Sequence, residues 1–304
     1  VFFKAARTAR RRKVMKAIRN LIITLVVIVA ILGVVIIGGY VYVRTTYGID
    51  LFRTAGQLKT LTQAVDETAL CPNAYGEEDF AAMKTELNKK FDGFVSYEEG
   101  KGVNGYSVNF GSLADKSMSG TISLTEKQVG AIVQTVFFGQ TGGKLNIGGK
   151  DVSVTVVQVD FSGIAENGSA DFNVVVKTDL TPFKADMSNF PYKYFKKYIP
   201  DNLYVSSTVR VDKTEDDGFS YTVTHKALTL NNLSADDTAD LFNTLDAVLK
   251  IGTAENLNMQ VGRMAINTLI GTAENNGFAY SLKAIGATAF KFETASGADR
   301  FIVS

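Results

Sequence analysis

Leu21 to Val43, LIITLVVIVAILGVVIIGGYVYV, runs for 23 residues without a charge, and 16 of them are Leu, Ile or Val. A helix of that length rises about 34 Å, enough to cross a hydrocarbon core of roughly 30 Å with modest tilt. At about −0.3 kcal/mol or better for each Leu, Ile or Val near the centre, the segment gains roughly −5 kcal/mol toward insertion. The stretch predicts a transmembrane helix over 21–43. It leaves a basic tail at 1–20 and a long portion on the other side.

Charge orients the span. Residues 1–19 hold eight Lys or Arg (Lys4, Arg7, Arg10, Arg11, Arg12, Lys13, Lys16, Arg19) and no acid, so the net +1 of the whole chain conceals −7 over residues 20–304. The only cation between the span and Asp50 is Arg44. Positive residues stay on the cytoplasmic side, which places the N-terminus in the cytoplasm and the C-terminal portion outside the cell membrane. A cleavable signal would be shorter and would end in small residues; this segment ends in GGYVYVRTTY, with Tyr40, Tyr42 and Tyr47 suited to the interface, and reads as an uncleaved signal-anchor. The tail also suits anionic lipid. Nucleic acid is not required to explain Arg10–Lys13 beside a span, and none is expected as a partner. The chain starts at Val1 instead of Met, so residues upstream are expected.

The single cysteine, Cys71, cannot form an internal disulfide, and an exported domain without disulfides fits a Gram-positive bacterial surface. Asn167-Gly-Ser and Asn232-Leu-Ser match a glycosylation sequon, a pattern common by chance.

Beyond the span, Leu51, Ala55, Leu58, Leu61 or Thr62, Val65 and Ala69 recur at helical spacing, which predicts a stem helix running to the break at Cys71-Pro72-Asn73. Phe80, Met83, Leu87 and Phe91 predict a second helix with Glu77, Glu78 and Asp79 in its first turn. Together they suggest a helical hairpin over 44–92, packed on the domain or forming a coiled-coil contact with another chain. The remainder, 93–304, reads as one extracytoplasmic domain of α+β class, with long antiparallel strands wrapped on helices. Segment 94–110 has the Gly turns and alternate aromatics of a hairpin. SLTEKQVGAIVQTVFFG predicts a capped helix over 125–138. Strands are predicted at 144–161, 169–181, 203–211, 219–230, 278–285 and 288–294, and helices from Ser234 and over 256–270. Two strands change the parity of their apolar residues, at Val156/Val157 and between His225 and Leu228, which predicts either a bulge or burial of both faces. The pentapeptide GTAEN ends both late helices, at Gly252–Asn256 and Gly271–Asn275, as a helix-stop turn with glycine at positive φ.

Chemistry is sparse. The one histidine, His225, lies in strand phase with Phe219, Tyr221 and Val223 and reads as a sheet-face residue; no nucleophile elbow, zinc-protease helix or phosphate loop occurs. One His and one Cys cannot make a nitrogen or sulfur cage, and the acids of VDKTEDDG miss the calcium-loop spacing. No cofactor, metal or catalytic residue is assigned, and an enzyme is not expected. The unusual stretch is Pro182–Pro200, PFKADMSNFPYKYFKKYIP, where six aromatics alternate with lysines. It suits a lipid headgroup layer, or a plug at one end of a sheet.

The order of anchor, capped helix (SLTEKQVGAIV), two long alternating strands, aromatic loop ending at Pro200, and the Leu228, Leu230, Leu233, Ser234 run into a helix resembles the YpmS-like membrane-anchored proteins of Gram-positive bacteria and, more distantly, the tubular lipid-binding (TULIP-like) domains, over about 120–250. The resemblance implies a curved sheet on a helix with an apolar groove. The residues expected to contact lipid are Phe172, Val174 and Val176 on a strand, and Tyr192, Lys193, Phe195, Lys196, Lys197 and Tyr198 in the loop. The expected role is binding of a membrane lipid or other apolar ligand near the membrane; the alternative is a non-enzymatic scaffold or accessory subunit that holds other envelope proteins through the span, stem or ectodomain.

Overall fold

The computed structural model describes residues 50–147, 150–185, 196–214, 218–249, 252–274 and 277–304. The expected span and basic tail lie outside these residues, and among the described residues no helix is long and apolar enough to cross a membrane.

The Val-rich alternating segments form the centre of an α+β fold. Strands β4 (Lys144–Ile147), β5 (Lys150–Ser162), β6 (Ala170–Asp179), β7 (Asn202–Lys213) and β8 (Tyr221–Leu230) make an antiparallel five-stranded sheet in chain order. Both parity changes are bulges. The β5–β6 register shifts between Val156 and Gln158, leaving Val157 as the extra residue; the β7–β8 register pairs Thr208 with Ala227 and Val209 with His225, leaving Lys226 extra. Each bulge returns the apolar residues that follow it to the inner face, where Val152, Val154, Val156, Val159 and Phe161 are all buried.

That inner face is covered by helices. α4 (Glu126–Thr141) lies on β5 and starts with a capping box between Thr125 and Gln128. α6 (Ala235–Leu249), whose first-turn Asp237 N–H is taken by Ser234 Oγ at 3.1 Å, packs on β8, and α7 (Ala254–Leu269) packs on β7 and β8. In GTAEN the stop and the next start coincide: Gly252 has φ +94°, and Thr253 Oγ1 accepts the Asn256 N–H at 3.2 Å to cap α7. In the second copy Gly271 has φ +81°.

A second antiparallel sheet, β3 (Ile122–Thr125), β10 (Ala298–Val303) and β9 (Phe290–Ala295), caps the far end of the first. Its Phe290 and Phe292 N–H groups donate to Gly218 O and Gly168 O in turns of the large sheet, each at 3.1 Å. Phe161, Phe172, Phe290, Phe292 and Phe301 join the two sheets in one aromatic chain. A short hairpin, β1 (Val95–Tyr97) with β2 (Tyr106–Val108), occupies the predicted 94–110 segment.

Three expectations change. Residues 278–283 form a short helix, α8 (Phe278–Lys283), that buries Phe278, Ala279 and Leu282, although the Phe278/Leu282 pair on its own also fits a strand's alternation. The stem helix stops early: α1 (Leu51–Leu61) ends at Leu61, and only a short α2 (Glu67–Leu70) follows before Cys71. The cause is competition for carbonyls. Asn231 takes Leu61 O, and Asn232 takes Gln63 O and Ala64 O, groups that a continuing helix would have used internally. Finally, α1 packs on α6 while α3 (Glu77–Lys90) packs on α4, so each of the two has its own partner in the domain. Leu58 and Leu61 of α1, and Phe80, Met83 and Leu87 of α3, belong to the same core as the strands.

Candidate functional site

Where α1 meets the domain, polar side chains and not apolar area alone fix its position. Asp50 caps the helix, accepting the Phe52 and Arg53 N–H groups at 3.0 and 3.2 Å. One turn in, Gln57, only 5% exposed, donates through Nε2 to Asp240 Oδ2 at 2.9 Å and to Asp237 O at 3.3 Å on α6. Arg53 Nε reaches the same Asp240 carboxylate at 3.1 Å; being half-exposed, that pair adds at most about 1 kcal/mol.

Asn231 locks the other end of α1. It holds φ +47°, a conformation Asn tolerates, in the turn between β8 and α6. Its Nδ2 donates to Leu61 O at 2.8 Å and Asn202 O at 3.1 Å, and its Oδ1 accepts the Tyr204 N–H at 2.7 Å. One buried side chain therefore ties the stem helix to the starts of β7 and α6. The 3₁₀ turn Lys196–Tyr198 also packs against α1.

From Leu61 the chain crosses the outer face of the large sheet as a strap, 62–75. Val65, Leu70 and Cys71 pack on Val157, Val175 and Tyr204. Glu67 Oε2 accepts from Lys177 Nζ at 2.9 Å and Tyr204 Oη at 2.7 Å, and the Lys177 bond, followed by the Tyr204 bond, holds its carboxyl below the usual carboxylate range. Burial, with the nearby carboxylates of Glu67 and Asp160, pushes the Cys71 thiol up to about 11. A thiol so placed is a packing group and not a nucleophile at neutral pH. The strap then rounds the β5 edge. Asn73 bonds Gln158 and Asp160, and the Tyr75 hydroxyl donates to Val156 O. The Tyr75 ring lies against Gly130 of α4, where any Cβ would sit 2.3 Å from it. Gln134 Oε1 accepts the Val156 N–H and Glu126 Oε1 the Phe161 N–H, so side chains satisfy part of the stretch of β5 that extends past its pairing with β4.

His225 sits on the opposite, inner face from Cys71. Asn258 of α7, fully buried, accepts Ser207 Oγ at 2.6 Å and donates to Thr208 O at 2.8 Å and to His225 Nδ1 at 2.7 Å. The donor role of the amide makes Nδ1 an acceptor and leaves the proton on Nε2. This is a knot that fastens α7 to the sheet, and it keeps the histidine and the cysteine apart. Among the described residues no group of three or more His, Cys, Asp or Glu side chains is placed to hold a metal ion, and Glu215, Asp216 and Asp217 of the acidic turn lie outside them.

The lipid-contact residues divide. Phe172, Val174 and Val176 are 0, 0 and 3% exposed in the core beneath the helices. Lys196 and Lys197 are exposed and Tyr198 is half-buried in the turn beside α1, while Tyr192, Lys193 and Phe195 lie outside the described residues. The strand set and the turn set do not share a surface. An open cleft of about 890 Å3 lies elsewhere, between the β1–β2 hairpin and the C-terminus of α4, with Tyr97, Asn104, Phe138 and Gln140 in its walls. The chain matches no family model, no curated protein and no solved structure, so the functional reading rests on its own residues.

Proposed function

We propose that this chain is a single-pass cell-membrane protein, anchored by Leu21–Val43, whose extracytoplasmic domain works by binding and not by turnover, as a non-enzymatic scaffold or accessory subunit of an envelope complex. The observation that carries this is the fastening of α1. A helix that starts eight residues after the end of the proposed span is held to the domain by Gln57 and Asn231, so it is part of the domain and the domain is tethered close to the proposed span. A tethered enzyme has no need of that constraint, whereas a module that must meet membrane partners at a fixed position gains from it, because preorganisation lowers the entropy lost on association.

Binding of a lipid or apolar ligand is the second reading, favoured by the exposed Lys196 and Lys197 beside Tyr198 at the stem. The strand residues Phe172, Val174 and Val176 are already packed against protein, which directs this reading toward the exterior of the domain. Purification of the full chain in mild detergent, followed by native mass spectrometry, separates the two. A stoichiometric protein partner is the expected result; a monomer carrying lipid alone overturns the scaffold in favour of the second reading.

A further inference from the structure

The cleft between the β1–β2 hairpin and the C-terminus of α4 encloses about 890 Å3, within the range of roughly 300–1,000 Å3 that suits a small ligand. Its lining is balanced in charge. Glu98 and Lys101 are the two charged side chains in it, and they pair with each other at 2.7 Å, so a charged ligand finds no unpaired counter-ion there. The walls offer hydrogen-bonding groups instead. The side-chain amides of Asn104, in the turn of the hairpin, and Gln140, on α4, make no hydrogen bond to another described residue, and each carries two N–H donors and an acceptor oxygen. The carbonyls of Gly139 and Gln140 lie past the last intrahelical bond, because the Gly142 N–H donates to Phe138 O and the Gly143 N–H to Thr141 Oγ1. Gly139 itself sits in the last turn of α4, where glycine weakens a helix, and it does not adopt the positive φ that would call for one. A Cβ there would meet nothing within 4 Å, in contrast to Gly130 of the same helix, whose Cβ would strike Tyr75. Packing accounts for Gly130; Gly139 leaves bare backbone on the cleft wall. Half-buried Tyr97 and Phe138 bring one aromatic side chain to each wall, and the negative faces of such rings suit weakly positive C–H groups. An uncharged ligand that donates and accepts hydrogen bonds at many points, with C–H patches between them, is an oligosaccharide.

We propose that this cleft binds a neutral oligosaccharide, with Asn104 and Gln140 bonding its hydroxyls from opposite walls and Gly139 leaving room for a sugar ring against the backbone of α4. The proposal stands apart from the scaffold reading and from the span, since every residue in it belongs to the described domain.

The full chain, in phosphatidylcholine nanodiscs free of glycoside detergent, is titrated with cellotetraose, chitotetraose, maltotetraose and mannotetraose and followed by saturation-transfer NMR. The cationic, deacetylated form of chitotetraose and an uncharged, capped tetra-alanine peptide serve as comparisons. The expected result is saturable binding of at least one neutral tetrasaccharide, at least about tenfold tighter than either comparison. Gly139→Leu fills the open space and favours the helix, and Asn104→Ala with Gln140→Ala removes both amides; each is expected to weaken that binding at least about tenfold without lowering the melting temperature. No binding by any of the four overturns the proposal, as does binding that Gly139→Leu leaves unchanged. Binding lost in Gly139→Leu but unchanged by the paired alanines overturns the part given to Asn104 and Gln140. Equal binding of the cationic tetramer overturns the assignment of a neutral ligand, and binding of the peptide alone overturns the sugar in favour of an uncharged peptide.

Discussion

The inner and outer faces of the five-stranded sheet are covered by different physics. On the inner face three helices, α4, α6 and α7, lie on Val, Leu and Phe side chains, each worth about 1.5–3 kcal/mol when fully buried. On the outer face one irregular strap, 62–75, covers only Val157, Val175 and Tyr204 and is pinned by individual hydrogen bonds, each worth about 1 kcal/mol net. The inner cover is therefore the global stability of the domain, and the strap is a unit able to open below it. The strap also joins α1 to α3, so the weaker cover is the one that continues from the segment proposed to span the membrane.

The largest break in this comparison is expected on the inner face. Phe172→Ala, at a fully buried position in tilted ring contact with Phe161, costs about 3–5 kcal/mol by urea unfolding. If Phe172 instead lined a ligand groove, its loss would leave stability nearly unchanged. Next comes the junction. Asn231→Gly keeps the positive φ and loses the bonds to Leu61, Asn202 and Tyr204, for roughly 2–3 kcal/mol; Asn231→Ala adds about 1 kcal/mol of backbone strain. Both variants are expected to speed tryptic cleavage after Lys59, which an unfastened helix presents.

The outer face responds more weakly. Glu67→Gln replaces a carboxylate that accepts from Lys177 and Tyr204, and is expected to raise the rate of Cys71 modification by a dipyridyl disulfide about fivefold, equivalent to about 1 kcal/mol of strap opening. Because the folded state holds Glu67 below its ordinary 4.5, its contribution is complete above about pH 4.5 and is lost as pH falls through the folded value. Cys71 modification in the parent chain should therefore rise on acidification toward that of the variant, and in Glu67→Gln it should not. The smallest effect belongs to the β5 edge. Burial raises the Glu126 carboxyl above 4.5 against the bond from the Phe161 N–H. Folded Glu126 thus holds its proton more tightly, and stability falls as pH rises from about 4.5 through the folded value, then levels. Glu126→Gln keeps an acceptor for Phe161 and should remove that slope, with a gain under about 1 kcal/mol at neutral pH. Thermal unfolding across pH reads it.

What could be read from the sequence follows the same division. Alternation and helical spacing reveal β5 to β8, α4, α6 and α7, and the two parity changes locate the bulges to within a residue or two, because burial on one face writes a period into the chain. The strap writes none. Its grip comes from Glu67, Asn73, Asn231 and Asn232, single polar residues that meet partners far along the chain and look like ordinary loop residues. Asn231-Asn232 after the apolar run of β8 is the one local hint, since Asn favours the left-handed turn found there. The last sheet is harder to read for a related reason: β10 pairs with β3 residues 175 to 181 positions earlier, and α8 carries so few residues that its helical spacing resembles a strand's. Phe172, Val174 and Val176, expected at a lipid groove, lie on the inner face, where the bulge in β5 keeps the apolar residues of β5 beside them and the helices cover them.

Hydrogen exchange on the full chain held in bilayer discs tests the account most directly. If α1 is fastened to the domain, the amides toward Leu61 exchange as slowly as those of α3, and more slowly than the strap at 63–66. Exchange of α1 within seconds, together with the strap and while β6 stays protected, would mean a free spacer ahead of the domain and would contradict the proposal that α1 is fastened to it.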